Sequence, residues 1–375
     1  MDFALDKEQD LLRDGLTKFL ATRYDLGKSR AAAKTGPGWQ PDIWRSFADE
    51  LGILGGTFRE DVGGIGGGPV ELMVITEALG YALVIEPYVS TVVVCGGILQ
   101  RADSPVAREM LERIVAGDAV VALAYTEETG PDDPVCTAAR DGQDWVLNGA
   151  KIVVLDAPLA THLIIVAQAP EGMSLFLTEF DAAAPPPGFT VHSYRTVDDR
   201  RAADIVLDGV RLPGPALLGA EGFGWPNLGR ALEEGATAVA SEAVGCMRKV
   251  FADTVEYTKQ RQQFGVPIGS FQVLQHRMVD MYIELEQAVS AVYLAILKLD
   301  AEPVERSRAV SAAKVTVGRA ARFIGQNAVQ LHGGMGMTEE LAIGHYFKRL
   351  TAVQYEFGTT DFHRRRHAAI TRDRR

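Results

Sequence analysis

The chain has 375 residues, of which 47% are hydrophobic and 23% are charged, as in an ordinary globular protein of two or three domains. Its formal net charge of −11 argues against nucleic acid as a partner. Three widely spaced cysteines predict neither a disulfide framework nor a metal site and fit a reducing cytoplasm, and no run of about 18 apolar residues predicts a membrane span.

Residues 1–118 are predicted to be helical. Leu5, Leu12, Leu16 and Phe19 recur at the spacing of one helix face. The glycine-rich stretch from Asp61 to Pro69 is of the kind that can hold a phosphate, but no strand precedes it and no Gly-Lys-Ser/Thr follows. We therefore expect a turn between helices there.

Residues 119–222 have the composition of a β domain. Short β-branched runs such as "THLIIVAQ" and "MSLFLTEF" alternate with turn signals. Asp141-Gly142 and Asn148-Gly149 are the clearest of these signals and predict hairpins. The pattern indicates an antiparallel sheet.

Residues 223–375 return to helical periodicity. Apolar positions every three or four residues predict long helices over 226–261, 271–297 and 303–331. A helical block, a β block and a second helical block predict an α-rich body with a central β domain.

Three segments of the chain carry a family signature. They are "QRQQFGVPIGSFQVLQHRMVDM" (260–281), "NAVQLHGGMGMTEE" (327–340) and "YFKRLTAVQYEFGTT" (346–360). Together they resemble the acyl-CoA dehydrogenase flavoproteins, and the resemblance spans nearly the whole chain. It implies an α+β fold with an N-terminal helical domain (1–118), a middle antiparallel β domain (119–222) and a C-terminal four-helix bundle (223–375).

The resemblance also implies a reaction. Family members oxidise an acyl-CoA thioester to the 2,3-enoyl-CoA, with a glutamate that removes the α-proton and FAD that accepts the β-hydride. The α-hydrogen of a thioester becomes removable when a base is close and fixed donors stabilise the enolate oxygen. The flavin performs the redox step, and the protein orients it.

The cofactor of this family lies between two subunits, and the half donated by the neighbouring subunit is intact in this sequence. The matching positions imply that Arg261 meets the diphosphate or ribose, that Phe264 packs on adenine and that Gln272 hydrogen-bonds the cofactor. The remaining predicted contacts are Gln330, Gly333, Gly334 and Thr359. Guanidinium suits phosphate oxygens, and glycine permits a close backbone approach.

The half donated by the middle domain departs from the family pattern. Thr126-Glu127 is followed by the acidic loop Glu128 to Pro134 in place of Pro and a small-residue Gly-Ser-Asp loop. Asn148 to Lys151 is present, but Ile152 to Asp156 replaces the tryptophan and the hydroxyl that follow it in the family. We therefore expect no indole over the flavin and no hydroxyl donor to its N5.

The catalytic base is displaced as well. The commonest family base directly precedes Gly-Thr, and Phe357 stands there, one residue after Glu356. Counting from Tyr346 instead puts Glu356 in register and makes Phe357 an insertion. We expect the Glu356 carboxylate to point away from a substrate α-carbon.

A second subset of the family carries its base on the first bundle helix. That position falls on Gly235, beside Glu234, and the arginine that usually follows is Ala236. Glu242 is another candidate on the same helix. A one-residue slip rotates a helical side chain by about 100°, so a neighbouring glutamate is no automatic substitute.

Intact contacts in one half-site and lost contacts in the other predict a non-catalytic subunit. The resemblance is closest to the small subunit of bacterial α2β2 acyl-CoA dehydrogenases, whose partner supplies the flavin cover and the base. The alternatives are a self-sufficient homo-oligomer that uses Glu356 as its base, and a structural subunit that binds neither FAD nor acyl-CoA. The acyl group and the electron acceptor are not predicted.

Overall fold

The computed structural model describes residues 5–128 and 135–372 of the chain. Its N-terminal part is helical, as the leucine spacing predicts, and the first helix starts at a capping box between Asp6 and Gln9. The helices are α1 (Lys7–Arg23), α2 (Leu26–Thr35), α3 (Pro41–Asp49), α4 (Pro69–Tyr81), α5 (Gly96–Ala102) and α6 (Pro105–Val115). Short 3-10 turns cover Ile53–Gly55 and Glu60–Val62, and a π-helix covers Val89–Cys95.

Seven strands form one mixed sheet in the middle of the sequence. They are β1 (Val121–Ala124), β2 (Thr137–Asp141), β3 (Asp144–Leu155), β4 (His162–Ala169), β5 (Gly172–Glu179), β6 (Phe189–Arg195) and β7 (Arg201–Leu212). The strand order is β1-β4-β2-β3-β7-β6, with β5 on β4. The expectation of a wholly antiparallel sheet is wrong for two pairs, because β4 runs parallel to both β1 and β2. Hydrophobic runs do not encode strand direction.

The two predicted turns have different outcomes. Asp141-Gly142 is confirmed as the start of the β2–β3 hairpin turn. The turn at Asn148-Gly149 is wrong, since both residues lie inside β3, where the register against β7 shifts. Gly149 has a φ of +145°, and a Cβ there would lie 2.6 Å from the Cα of Cys136. The glycine marks a bulge under a neighbouring backbone, not a chain reversal.

The C-terminal part is a helical bundle, and the three predicted long helices are confirmed. The helices are α7 (Gly224–Gln260), α8 (Gln272–Leu297), α9 (Pro303–His332), α10 (Ala342–Ala352) and α11 (Thr360–Arg372). A two-residue hairpin, β8 (Gln262–Gln263) and β9 (Val266–Pro267), joins α7 to α8. None of the helices in the described ranges is long and apolar enough to cross a membrane.

The chain forms two compact units. The first comprises 1–26, 68–84 and 236–375, and the second comprises 27–67 and 85–235. The core of the first unit includes Met247, Leu285, Val292, Val317 and Ile324, each at most 3% exposed. The core of the second includes fully buried residues of β4, which reads as a continuous apolar run.

Two glycines let α4 and α7 cross with their backbones in contact inside the first unit. A Cβ at Gly245 would lie 2.0 Å from the carbonyl oxygen of Glu77, and a Cβ at Gly80 would lie 2.0 Å from that of Glu242. Real Cβ atoms do not approach so closely, so both positions require glycine. This crossing fixes the position of Glu242 on α7.

Replacing Gly245 with alanine is expected to destabilise the protein by about 3 kcal/mol, because the added methyl forces α4 away from α7. The matched control is Gly229→Ala in the same helix, where an added Cβ meets nothing within 4 Å. Alanine there is expected to be neutral or to stabilise the helix by up to about 1 kcal/mol. Urea unfolding measures both, and equal midpoints for the two variants would contradict the close crossing.

Candidate functional site

Glu356 is held in a buried ion pair with Arg349 of α10. The Arg349 Nη2 lies 3.1 Å from Glu356 Oε2, and its Nη1 contacts Oε1. The guanidinium is 2% exposed and the carboxylate 12%. Each carboxylate oxygen accepts a hydrogen bond from the guanidinium, so turning Glu356 toward a substrate would cost this buried ion pair.

The same guanidinium also holds Glu242. Its Nε and Nη2 atoms each lie 2.8 Å from a Glu242 oxygen, and the Glu242 side chain is 4% exposed. Two of the three candidate bases, Glu242 and Glu356, are therefore clamped by one arginine. That Glu356 points away from a substrate α-carbon stays a prediction.

Lys314 of α9 fixes the turn that carries Glu356. Its Nζ donates to the carbonyl oxygens of Val353, at 2.9 Å, and Glu356, at 2.7 Å. Burial, opposed by the Glu356 carboxylate and assisted by the Arg349 charge, lowers the pKa of this lysine to about 8. The ammonium cancels part of the surplus negative charge of two carboxylates that share one guanidinium.

The turn after Glu356 places a bulky aromatic residue in a left-handed backbone conformation. Phe357 has a φ of +54°, in the left-handed region, and Gly358 follows at +104°. The ring nitrogen Nε2 of buried His363 lies 2.9 Å from the Phe357 carbonyl oxygen. Thr359 Oγ1 accepts the Phe362 N–H at 3.1 Å, which makes Thr359 a cap of α11. The predicted cofactor contact at Thr359 thus has a structural use within the chain.

The third candidate base, Glu234, is paired with two arginines of the second unit. Arg101 of α5 donates from one nitrogen to both its oxygens, at 2.9 and 3.0 Å, and Arg230 donates at 2.7 Å. Gly235, the position that matches the family base, offers no side chain. Each of the three candidate carboxylates therefore accepts hydrogen bonds from at least one arginine.

The predicted cofactor contacts on the bundle come together at one end of it. Helix α7 ends at Gln260, α8 begins at Gln272 and α9 ends at His332. The Tyr257 ring stacks on that of His332 with 4.2 Å between centroids, which joins the ends of α7 and α9. The exposed predicted residues at this end are Arg261, Phe264, Gln272, Gln330, Gly333 and Gly334.

Phe264 lies at the tip of the β8–β9 hairpin, and its ring meets that of Phe271 edge-on with 6.2 Å between centroids. It is 92% exposed, with a φ of +54°, and Gly265 follows at +80°. Positive φ at both central residues is the two-residue hairpin geometry that favours Asn-Gly. A bulky aromatic there costs strain and exposes apolar surface, which is a feature of functional positions.

The glycines after α9 divide into two kinds. A Cβ at Gly336 would lie 2.7 Å from the Val329 carbonyl oxygen, so packing requires glycine there. At Gly333 and Gly334 a Cβ would meet nothing within 4 Å, although Gly333 needs glycine for its φ of +61°. Packing within the chain does not explain Gly334, and its backbone is open to a ligand.

Glu356 and Thr359 do not join this group within one chain. Lys314, which touches the Glu356 carbonyl, lies sixteen residues before Gln330 on α9. At 1.5 Å per residue the two levels are about 24 Å apart along the helix. The predicted site residues therefore form two separate groups.

In the β domain, the segment that replaces the family's aromatic and hydroxyl residues is strained. Val153 is β-branched yet has a φ of +49°, and it is 47% exposed. The Thr126 carbonyl accepts the Ile152 N–H, and the Asp204 carboxylate accepts the Val153 N–H, both at 2.9 Å. Residues 152–155 offer neither an aromatic ring nor a hydroxyl.

The carboxylate of Glu127 binds partners inside the β domain. It pairs with fully buried Lys151 and accepts the backbone N–H groups of Val135, at 2.6 Å, and Cys136, at 3.2 Å. Most of the predicted acidic loop, residues 129–134, lies outside the described residues. No group of three or more His, Cys, Asp or Glu side chains in the described chain could hold a metal ion.

Arg349 and Lys314 were not singled out from the sequence. The seven-residue spacing of Arg349 and Glu356 would place them on one face of a continuous helix, but α10 ends at Ala352, before Glu356, so the spacing does not predict the pair. Lys314 gives no signal either, since its partners are backbone carbonyls distant in sequence.

Comparison with known proteins places these features in a family context. Three protein-family models match the chain. They are "Acyl-CoA dehydrogenase, N-terminal domain" over 6–118, "Acyl-CoA dehydrogenase, middle domain" over 122–210 and "Acyl-CoA dehydrogenase, C-terminal domain" over 222–370. The acyl-CoA dehydrogenase FadE27 of Mycobacterium tuberculosis is 30% identical over 84% of this chain and 83% of its own length.

Two further relatives cover almost the whole chain. The short-chain specific acyl-CoA dehydrogenase of Megasphaera elsdenii is 29% identical over 96% of this chain and 97% of its own. A variant of the steroid ACAD Tcur3481-Tcur3483 superposes with a TM-score of 0.88 at 28% identity, covering 98% of both chains.

Replacing Arg349 with methionine is expected to destabilise the protein by about 3–5 kcal/mol, since it leaves two buried carboxylates unpaired and adjacent. The triple variant Glu242→Gln, Arg349→Met and Glu356→Gln should recover part of that loss, which urea unfolding measures. Arg364→Met is the control, because its ion pair with Asp361 is exposed and worth at most about 1 kcal/mol. A triple variant no more stable than Arg349→Met would contradict the shared clamp.

Lys314 makes stability rise with pH in the alkaline range. Its pKa is about 8 in the folded protein against the ordinary 10.5. Between these values the unfolded chain binds more protons, so the unfolding free energy increases with pH, by up to about 3 kcal/mol. Lys314→Met should remove this rise, while exposed Lys259→Met should keep it. Parallel curves of unfolding free energy against pH for wild type and Lys314→Met would contradict this role of Lys314.

Proposed function

The chain belongs to the acyl-CoA dehydrogenase family, and on that premise we propose that it is the subunit that gives the adenine and diphosphate side of an interfacial FAD site to a catalytic partner. The family reaction is the α,β-desaturation of an acyl-CoA thioester. FAD, when bound, supplies the hydride acceptor. The assembly we propose is an α2β2 heterotetramer.

The single observation that carries the proposal is the state of the carboxylates. Glu356 and Glu242 share Arg349, and Glu234 is held by Arg101 and Arg230. A general base must meet the substrate proton within hydrogen-bond reach, with a lone pair available. Since arginines engage all three candidates, we assign the base to the partner subunit.

The chemistry of the bundle end fits the adenosine diphosphate half of FAD. Arg261 offers a guanidinium for phosphate, Gln272 and Gln330 offer amides, and the exposed ring of Phe264 offers a face for adenine. The backbone at Gly334 is open to close approach. These groups are exposed and few of them are needed for folding, as expected for residues that serve a ligand shared with another subunit.

The β domain of this chain fits the isoalloxazine poorly. Residues 152–155 supply no ring to cover it and no hydroxyl for its N5, and Glu127 uses the N–H groups of Val135 and Cys136 internally. We therefore derive no flavin contact from this chain's own β domain. The partner would cover the flavin face.

The substrate class follows from the family and from one relative. The steroid ACAD that superposes at 28% identity carries two gene products in its name. This supports a lipid or steroid acyl-CoA as substrate and an assembly of unlike subunits. The alternative, a self-sufficient homo-oligomer with Glu356 as base, requires Arg349 to release that carboxylate.

The test compares the chain alone with the chain in its assembly. Produced alone, it is expected to show little flavin absorbance and no acyl-CoA dehydrogenase activity. Isolated from its host through a tag, it should carry FAD and an equimolar second chain of the same family. A yellow, active homomer would refute the proposal.

Within the assembly, Glu356→Gln is expected to leave the turnover rate within about twofold of wild type, because this carboxylate performs no proton transfer. The homo-oligomeric alternative expects a loss of about 100-fold or more. Glutamine keeps the shape and one acceptor oxygen, so FAD content measured on the same samples separates a catalytic defect from a folding defect.

A further inference from the structure

The surface line along which α8 and α9 meet, called the groove below, leads away from the proposed cofactor end. The two helices are joined by only five residues, 298–302, so they run antiparallel. Arg319 of α9 fixes their relative level, because its Nε lies 3.1 Å from Glu284 and its Nη2 lies 2.8 Å from Gln287.

On the α9 side, one stripe of exposed residues runs from this anchor to the end of the helix. Its members after Arg319 are Arg322, Gln326, Gln330 and Gly333. Their spacings of three and four residues keep them on one face. Arg322 therefore lies about 12 Å along the helix from Gln330, one of the predicted cofactor contacts.

On the α8 side, Arg277 continues the stripe of Glu284. It is seven residues nearer the start of the helix, which places it on the same face and about 10 Å further toward Gln272. Because α8 and α9 are antiparallel, that level corresponds to Gln326 on α9. Arg277 and Arg322 thus flank the groove one and two turns from Gln330.

These two arginines differ from their neighbour Arg319 in having no carboxylate partner. Neither makes an ion pair with any residue in the described part of the chain, whereas Arg319 is paired with Glu284. The one acidic residue of the adjoining stretch of α8 is exposed Asp280, and α9 has none between Arg322 and His332. The groove therefore has a surplus of positive charge in a chain whose net charge is −11.

We infer that Arg277 and Arg322 extend the cofactor half-site and hold the diphosphate of FAD together with Arg261. This inference rests on the proposed function and adds two binding residues to it. A diphosphate carries a negative charge on each phosphate, and Arg261 alone neutralises one of them. Guanidinium groups on a rigid helix pair give planar, charge-assisted hydrogen bonds to phosphate oxygens. The glutamines between them can donate to the ribose and phosphate oxygens that remain.

The experiment measures the FAD dissociation constant of the assembly isolated through a tag on this chain, from the fluorescence of FAD released on dilution. Arg277→Met and Arg322→Met are each expected to weaken FAD binding about tenfold, the effect of one charge-assisted hydrogen bond. Both should also reduce the salt dependence of binding. Asp280→Asn should tighten binding, because it removes a negative charge one helical turn from Arg277 on α8.

Two further variants serve as the positive and the negative control. Arg261→Met reports the half-site of the proposed function. Arg308→Met removes another arginine of α9 without an ion-pair partner, about 21 Å along the helix from Arg322, and should leave FAD binding unchanged. If Arg277→Met and Arg322→Met behave like Arg308→Met while Arg261→Met weakens binding, the inference falls and the proposed function stands. If none of Arg277→Met, Arg322→Met and Arg261→Met alters FAD binding, both the inference and the proposed function are wrong.

A further readout separates cofactor binding from subunit binding. Native mass is measured for Arg277→Met and Arg322→Met with and without excess FAD. Recovery of the full assembly by FAD agrees with a diphosphate role. Dissociation that FAD does not reverse would overturn the inference and assign the arginines to an acidic surface of the partner.

Discussion

One buried guanidinium organises the chemistry of this chain. Arg349 joins Glu242 on α7 to Glu356 on the turn after α10, and all three side chains are nearly inaccessible to water. Buried charges are tolerated only when they are paired, so each carboxylate depends on the arginine and the arginine on both carboxylates. Lys314 adds a second cation, held by two backbone carbonyls of the same turn. A carboxylate held in this way stabilises the fold, and turning it toward a substrate would cost a buried ion pair.

The two separate groups of predicted site residues differ in how their side chains are used. Around Arg349 the charged groups of Glu242, Glu356 and Lys314 are paired and almost buried, and the backbone crossing at Gly80 and Gly245 holds α7 in place. At the end of the bundle, Phe264 is strained and almost wholly exposed, and Gly334 is not required by packing. Internal pairing explains the first group. Packing within the chain does not explain the exposure of the Phe264 ring or the glycine at 334, which favours a ligand or partner.

Part of this arrangement could be predicted from the sequence. The periodicity of 226–331 predicts the three long helices within a few residues, and the motif containing Arg261 and Phe264 indicates a half-site at the end of the bundle. The turn predicted at Asn148-Gly149 is wrong, because a glycine in a bulge and a glycine in a turn look alike in sequence. The parallel pairing of β4 with β1 and β2 was also missed, since apolar alternation gives no strand direction.

The sequence by itself determined the family, the order of helical and β segments, and the absence of an aromatic and a hydroxyl at 152–155. These follow from residue types and local spacing. It left the register of Glu356 and Phe357 open, because two counts along the chain disagreed. Tertiary structure decided that Glu356 is engaged, since Arg349, the Glu242 carboxylate that shares it and Lys314 meet only when α7, α9 and α10 pack together. Pairing of buried charges depends on distances in space, and a single sequence does not contain them.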